Sequence, residues 1–216
     1  MNRLVAVTGA TGFVGLHLVS ALARRGLKLR LLVRRWSPLP SLPGVEAEIV
    51  QGDLADESAL GRLVTGADVV IHAAGLIKAR SAADFRTVNA LGTARLSALA
   101  PQARFVLLSS LAAREPQLSA YAESKREAER VVAGRAGPWL AVRAPAVYGP
   151  GDRETLAYFR TAACGLAPRP WLNGACLALI HVEDLAEVLA AAVERPPPDS
   201  VYEIDDGREG GYGHDD

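Results

Sequence analysis

The sequence predicts an α/β chain built on a doubly wound parallel sheet with helices on both faces. Three observations carry that prediction. Short, almost uninterrupted apolar runs alternate with longer amphipathic stretches; the first run leads directly into the glycine-rich segment VTGATGFVG; and half of the 216 residues are hydrophobic, enough for a large core. Strands buried on two sides carry few polar residues, whereas a helix lying on a sheet shows one apolar stripe. Alternation of the two is the pattern of β–α–β units joined by right-handed crossovers.

The first strand is expected over 3–8, followed by a glycine turn and a helix over 13–25. Further strands are expected over 28–33, 46–50, 68–72, 104–109 and 139–143, with helices over 57–64, 82–99 and 120–132. Past Gly149 the rhythm weakens: Pro168, Pro170 and the run from Pro196 to Pro198 punctuate it, and only 181–193 reads as strongly helical. The ending DGREGGYGHDD has no apolar period, so residues 206–216 are expected to form a frayed tail.

Lys plus Arg equals Asp plus Glu at 24 each, so the net charge is zero and no broad electrostatic footprint for nucleic acid is expected. The only lysines are Lys28, Lys78 and Lys125. Cys164 and Cys176 are too few and too far apart for a zinc cluster, no His/Asp/Glu group has metal spacing, and no metal is expected. There is no run of about 18 apolar residues and no secretory pattern, so no integral membrane segment is expected and the cytoplasm is the expected compartment.

The segment TGATGFVG places Gly9, Gly12 and Gly15 three residues apart, between a strand and a helix. That is the device for holding a pyrophosphate. Missing side chains let backbone approach the phosphates, and the helix amino terminus offers unpaired N–H groups with a partial positive charge. An acidic residue at the end of the second strand would bind the ribose hydroxyls of NAD. Arg34 and Arg35 stand there instead. A guanidinium grips a 2′-phosphate through paired hydrogen bonds, so NADP is favoured, with NAD as the alternative.

The segment SSLAAREPQLSAYAESK closes a strand with Ser109 and Ser110 and opens a helix carrying Tyr121 and Lys125. Positions i and i+4 share a helix face, which sets an ammonium beside a phenol. Lowering a tyrosine from near 10 to near 7 takes about 4 kcal/mol, and one cation at about 4 Å supplies about that much at an effective dielectric of 20. Tyr121 is therefore expected as general acid/base, Lys125 as the group that lowers its pKa, and Ser110 as the hydroxyl that orients the substrate oxygen.

TGATGFVG, GDLAD (52–56), HAAG (72–75), VNALGT (88–93), the serines before YAESK, RAPAVYGPGDR (143–153) and HVEDLA (181–186) occur in this order. Together they resemble the extended short-chain dehydrogenase/reductase family, also called the NAD-dependent epimerase/dehydratase family, over residues 1 to about 205. The resemblance implies a Rossmann-like dinucleotide-binding domain over 1–150 and partial substrate-region elements over 151–205. Members continue into a small carboxy-terminal substrate domain, so the resemblance implies that this region is truncated here. Gly9, Gly12 and Gly15 would surround the pyrophosphate, with Thr11, Phe13 and Val14 in the same turn. Asp53 and Leu54 would border the adenine, and Ala73, Ala74 and Gly75 would line the middle of the cofactor. Asn89 resembles the asparagine that supports the active-site helix and its water. Ser110, Tyr121 and Lys125 match the catalytic set, and Pro145 resembles a residue beside the nicotinamide. Tyr121 and Lys125 also bind cofactor in that pattern. His181 and Asp184 match a motif at a strand-to-helix junction and are expected to be structural.

Two departures bear on substrate. Ala146 stands where many sugar-nucleotide members have asparagine, and the spacing from Ser110 to Tyr121 is shorter than in many sugar epimerases. The second strand's ending resembles the dihydroflavonol and hydroxysteroid reductases, where NADP is usual. The leading expectation is an oxidoreductase that moves hydride between a nicotinamide and the carbonyl or hydroxyl carbon of a small molecule. Returning the hydride to the substrate would give an epimerase or dehydratase. A third reading is a non-catalytic NAD(P)H-binding accessory subunit, like that of respiratory complex I. The helices over 82–99 and 120–132 correspond to those that form a four-helix homodimer interface in the family.

Overall fold

The first strand, Leu4–Thr8 (β1), sends Val5 and Val7 to one face of the sheet and Ala6 to the other, and all three are fully buried. The computed structural model describes residues 3–34, 45–165 and 176–213. After β1 come Phe13–Arg24 (α1), Lys28–Val33 (β2), Ala47–Gln51 (β3), Glu57–Val64 (α2) and Val69–His72 (β4). Ala82–Phe85 (α3), a π turn over Arg86–Leu91 and Gly92–Leu99 (α4) follow, then Arg104–Ser110 (β5) and Ala120–Ala133 (α5). Trp139–Ala144 (β6), Ala146–Tyr148 (β7), Leu156–Ala163 (α6), Leu179–His181 (β8), Val182–Glu194 (α7) and Val201–Glu203 (β9) come last.

Seven strands form one sheet in the order β3-β2-β1-β4-β5-β6-β9, every pair parallel. The chain winds outward from β1 through β2 to β3, then returns to the centre and winds the other way from β4. Thr8 is in register with His72 where the direction reverses. Crevices form beyond the carboxyl ends of strands at such a reversal, and they are where open α/β sheets hold ligands. On one face Leu18 and Leu22 of α1 pack with Leu185 and Leu189 of α7. On the other, Leu60 and Leu63 of α2 join Leu96 of α4 and Val132 of α5 around Phe105. Both faces of the sheet are thus covered, as the apolar strands require.

The six expected strands form, with ends shifted by no more than one residue. The helix expected over 82–99 forms with those bounds, but its middle, Arg86–Leu91, is π rather than α. Ser81 and Asp84 make a reciprocal capping box at α3, and the π turn then inserts before α4. Beyond Gly149 the structure adds α6 and the second strand of a small pair, β7 and β8, while β9 extends the main sheet. Each of these three strands has three residues, too few for a period to show. Residues 206–213 turn back through Gly210 and Gly211, both at positive φ, so that Leu177 and Tyr212 form an antiparallel bridge. No described helix is long and apolar enough to cross a membrane.

Candidate active site

β1 must give way to a turn that passes under the chain leaving β4, and Gly9 makes this feasible. Its φ is +78°, and a Cβ there would lie 2.6 Å from the carbonyl carbon of Ala73. Gly15 answers a different need: a Cβ would sit 1.9 Å from the Gly9 oxygen, so only glycine lets α1 seat directly on the turn. Gly12 takes the N-cap position in an extended conformation, and no side chain caps the helix. The first-turn amides of α1 therefore face the crevice without a side-chain acceptor, an arrangement that suits a pyrophosphate.

Two cavities meet at this turn, and both are bounded by Gly9, Gly12, Ala73, Gly75 and Leu76. The first, of about 430 Å³, also has Thr11, Arg34, Asp53, Leu54 and Ala74 in its wall. Asp53 is held by an Asx turn, its Oδ1 accepting from the Ala55 amide at 2.8 Å. Arg34 is exposed at the rim. Arg35 lies outside the described residues. The second cavity, of about 390 Å³, is lined by Phe13, Val14, Gly15, Ser110, Tyr121, Lys125 and Pro145. The glycine turn, Ser110, Tyr121, Lys125 and Pro145 thus share one crevice. The two lobes, the uncapped helix and the apolar floor of Ala73, Ala74 and Gly75 fit an extended dinucleotide.

α5 starts beside the second cavity because Ser119 caps it, accepting from the Ala122 amide at 3.1 Å. Tyr121 and Lys125 then fall one turn apart. Phe85 of α3 lies against the Tyr121 ring with centroids 5.8 Å apart. Burial pushes the phenol above its ordinary value, and a hydrogen bond with the Ser110 hydroxyl opposes that shift. Ser110 also accepts from the Ala112 amide at 3.2 Å, which fixes its direction. Lys125 is buried, and its Nζ donates to the Leu108 carbonyl at 2.6 Å. Burial pushes the amine down to about 8, with Glu129 one turn further along acting in the opposite sense.

Asn89 does not line either cavity. It is buried in the π turn, where its Oδ1 accepts from the Leu76 amide (2.7 Å) while Nδ2 donates to the Leu76 carbonyl (3.0 Å) and to Ser124 Oγ (2.9 Å). Ser124 donates to the Tyr121 carbonyl at 2.7 Å. One amide side chain thus clamps the Leu76 part of the cavity wall to α5. His181 caps α7, its Nδ1 accepting from the Glu183 amide at 3.4 Å, and Asp184 is exposed in the first turn. Both lie at the helix start.

Sequence reasoning missed Arg95 of α4, which borders the first cavity, and Asp152 and Glu154, which border the second. Gly92 was the available signal for Arg95. A Cβ there would meet Leu54 at 2.9 Å, so α4 presses against the loop after β3 and carries residues one turn on toward the cavity. Among the described residues no group of His, Cys, Asp and Glu could hold a metal ion.

The chain is 49% identical over 211 residues to the "Ceramide reductase" of Caulobacter vibrioides, covering 97% of this chain and 66% of that protein. It is 30% identical over 226 residues to the "4-hydroxy-2-methyl-3-oxo-4-farnesyl-3,4-dihydroquinoline-1-oxide ketoreductase" of Stigmatella aurantiaca, covering 93% of this chain and 67% of that one. It spans about two thirds of the length of these relatives. The crystal structure of gox2253 superposes with a TM-score of 0.80 at 27% identity, over 95% of this chain and 70% of that one. Residues 5–204 match the family model described as NAD dependent epimerase/dehydratase. With the winding of the sheet, the glycine turn and the Ser–Tyr–Lys wall in agreement, the chain belongs to the NAD dependent epimerase/dehydratase family.

Proposed function

We propose that this chain carries the cofactor site and catalytic set of an NADP(H)-dependent reductase acting on a carbonyl borne by an apolar, lipid-like molecule. The observation that carries the reading is the convergence of Ser110, Tyr121, Lys125 and Pro145 on the cavity that the glycine turn opens. When bound, the nicotinamide would supply the hydride. The chain's own part is positioning and proton transfer. Ser110 directs its hydroxyl at the carbonyl oxygen, and Tyr121 gives that oxygen its proton. Lys125 supplies positive charge beneath the phenol and a donor for the cofactor's ribose. Ile77 borders the same cavity and is 59% exposed, so the substrate side of the crevice presents apolar surface. The names of the two curated relatives, a ceramide reductase and a ketoreductase of a farnesylated ring, agree with a lipophilic ketone.

Preference for NADP(H) rests on Arg34, whose guanidinium suits a 2′-phosphate. Fluorescence titration with NADPH and NADH, followed by a panel of long-chain and cyclic ketones with the tighter cofactor, tests the reading. Steady consumption of NADPH with a lipid ketone is expected. Tight binding without turnover across the panel would replace catalysis with a nucleotide-holding role. Transient oxidation with no net loss of NADPH would point to an epimerase or dehydratase. A homodimer through the outer faces of α4 and α5 belongs to the same proposal, and light scattering reads it.

A further inference from the structure

We infer that His72 is a positioning residue that ties the cofactor-binding turn to the catalytic helix through a single fixed tautomer. The side chain is 1% exposed and lies at the end of β4, in register with Thr8. Its Nδ1 is 2.6 Å from Thr8 Oγ1 and its Nε2 is 3.0 Å from Thr93 Oγ1.

The protons on this chain of atoms assign themselves. Thr93 has one hydroxyl hydrogen, and it points to the Asn89 carbonyl at 2.5 Å. Thr93 Oγ1 must then accept from His72, so Nε2 carries the ring proton and Nδ1 is a bare acceptor. Thr8 donates its hydroxyl to Nδ1, and its oxygen accepts from the Ala74 amide at 3.3 Å. Every group is used once, with no donor facing a donor.

The two ends of the relay reach the two halves of the site. Thr8 immediately precedes Gly9, and Ala74 borders the first cavity. Asn89 holds Leu76 and, through Ser124, the backbone of Tyr121. Burial, with the Lys125 charge adding to it, pushes the imidazole down to about 3, so the neutral tautomer persists at any working pH.

Asparagine and glutamine separate the two arms, because an asparagine amide reaches about as far as Nδ1 and a glutamine amide about as far as Nε2. His72→Asn keeps the Thr8 arm and cuts the Thr93 arm. It is expected to hold the NADPH dissociation constant within about twofold while kcat falls about tenfold. His72→Gln does the reverse, weakening NADPH about fivefold with kcat at saturating cofactor nearly kept. Fluorescence titration with NADPH and turnover of a long-chain ketone read the two quantities. If either variant fails to fold, Thr93→Val and Thr8→Val cut the same arms and should give the same split. Equal losses in both quantities, or a lowered melting temperature with both unchanged, would reduce His72 to a packing role. The kcat arm rests on the proton-donor reading of Tyr121. Full turnover by Tyr121→Phe would sink that reading and leave the NADPH arm standing.

Discussion

The Lys125 amine donates to the Leu108 carbonyl at 2.6 Å, so the one buried lysine, one helical turn after Tyr121, is anchored to β5. Its pKa of about 8 in the free protein makes its charge conditional. The amine is protonated below about 8 and loses its proton above. Affinity for the anionic NADPH is expected to fall as pH rises through that value, and Lys125→Met should flatten the dependence. Parallel pH curves for parent and variant in a fluorescence titration would contradict the assignment.

On the proposed reading, Tyr121→Phe removes the proton donor together with its hydrogen bond to Ser110. Turnover is expected to drop by at least about 100-fold, as general acid catalysis of this kind contributes. NADPH binding should be unchanged, because the ring and its packing on Phe85 remain. Stopped-flow measurement of a single turnover separates the two effects.

Arg34→Ala is expected to weaken NADPH by about 10- to 100-fold, the worth of a charge-assisted bond to phosphate, and to leave NADH nearly unaltered. An equal loss for both nucleotides would show that the side chain touches something other than the 2′-phosphate.

Glu129 and Arg143 form a buried pair at 2.7 Å, with Ser109 also donating to the carboxylate. Burial alone would raise the Glu129 carboxyl, but the hydrogen bonds from Arg143 and Ser109 carry it below its ordinary value. Glu129→Gln leaves Arg143 with Glu203, 3.0 Å away, as its remaining carboxylate partner, and should cost about 1 to 3 kcal/mol in urea unfolding. The exposed pair Arg86–Glu127, 3.0 Å apart, provides the contrast, and Arg86→Ala should leave the urea midpoint unchanged.

His72 also predicts a stability profile. Its pKa is about 3 in the folded chain against an ordinary 6.5, so the unfolded chain binds the extra proton between those values. The contribution is fully present above 6.5 and is lost as pH falls toward 3, at about 1.4 kcal/mol per unit. Between pH 7 and 5 the parent should lose about 2 kcal/mol that His72→Gln does not. Identical slopes for the two proteins would refute a neutral buried imidazole.

Much of this architecture can be read before any coordinates, for identifiable reasons. Five of the six strands from β1 to β6 are largely apolar and two-sided burial demands that, while β3, at the sheet edge, is mostly exposed and mixed in character. Tyr121 and Lys125 were legible because helical spacing alone sets them together. Arg95 was not, since what brings it to the cavity is contact between Gly92 and Leu54, partners 38 positions apart in sequence. Nor was the origin of the electrostatics around Tyr121. Helical spacing from a lysine suggests a lowered phenol, yet in the free protein burial raises it and the Ser110 hydroxyl, not Lys125, is the opposing group.

The π turn at Arg86–Leu91 has a rotational consequence. One surplus residue in a helix advances the following side chains by about 100° around the axis. Phe85, upstream, leans on Tyr121, while Leu96, downstream, enters the core under the sheet, and both orientations hold at once only because their phases are offset. Deleting a single residue between them would restore an ideal spiral and swing the phenylalanine off the Tyr121 ring, leaving the composition of the crevice intact and its geometry undone.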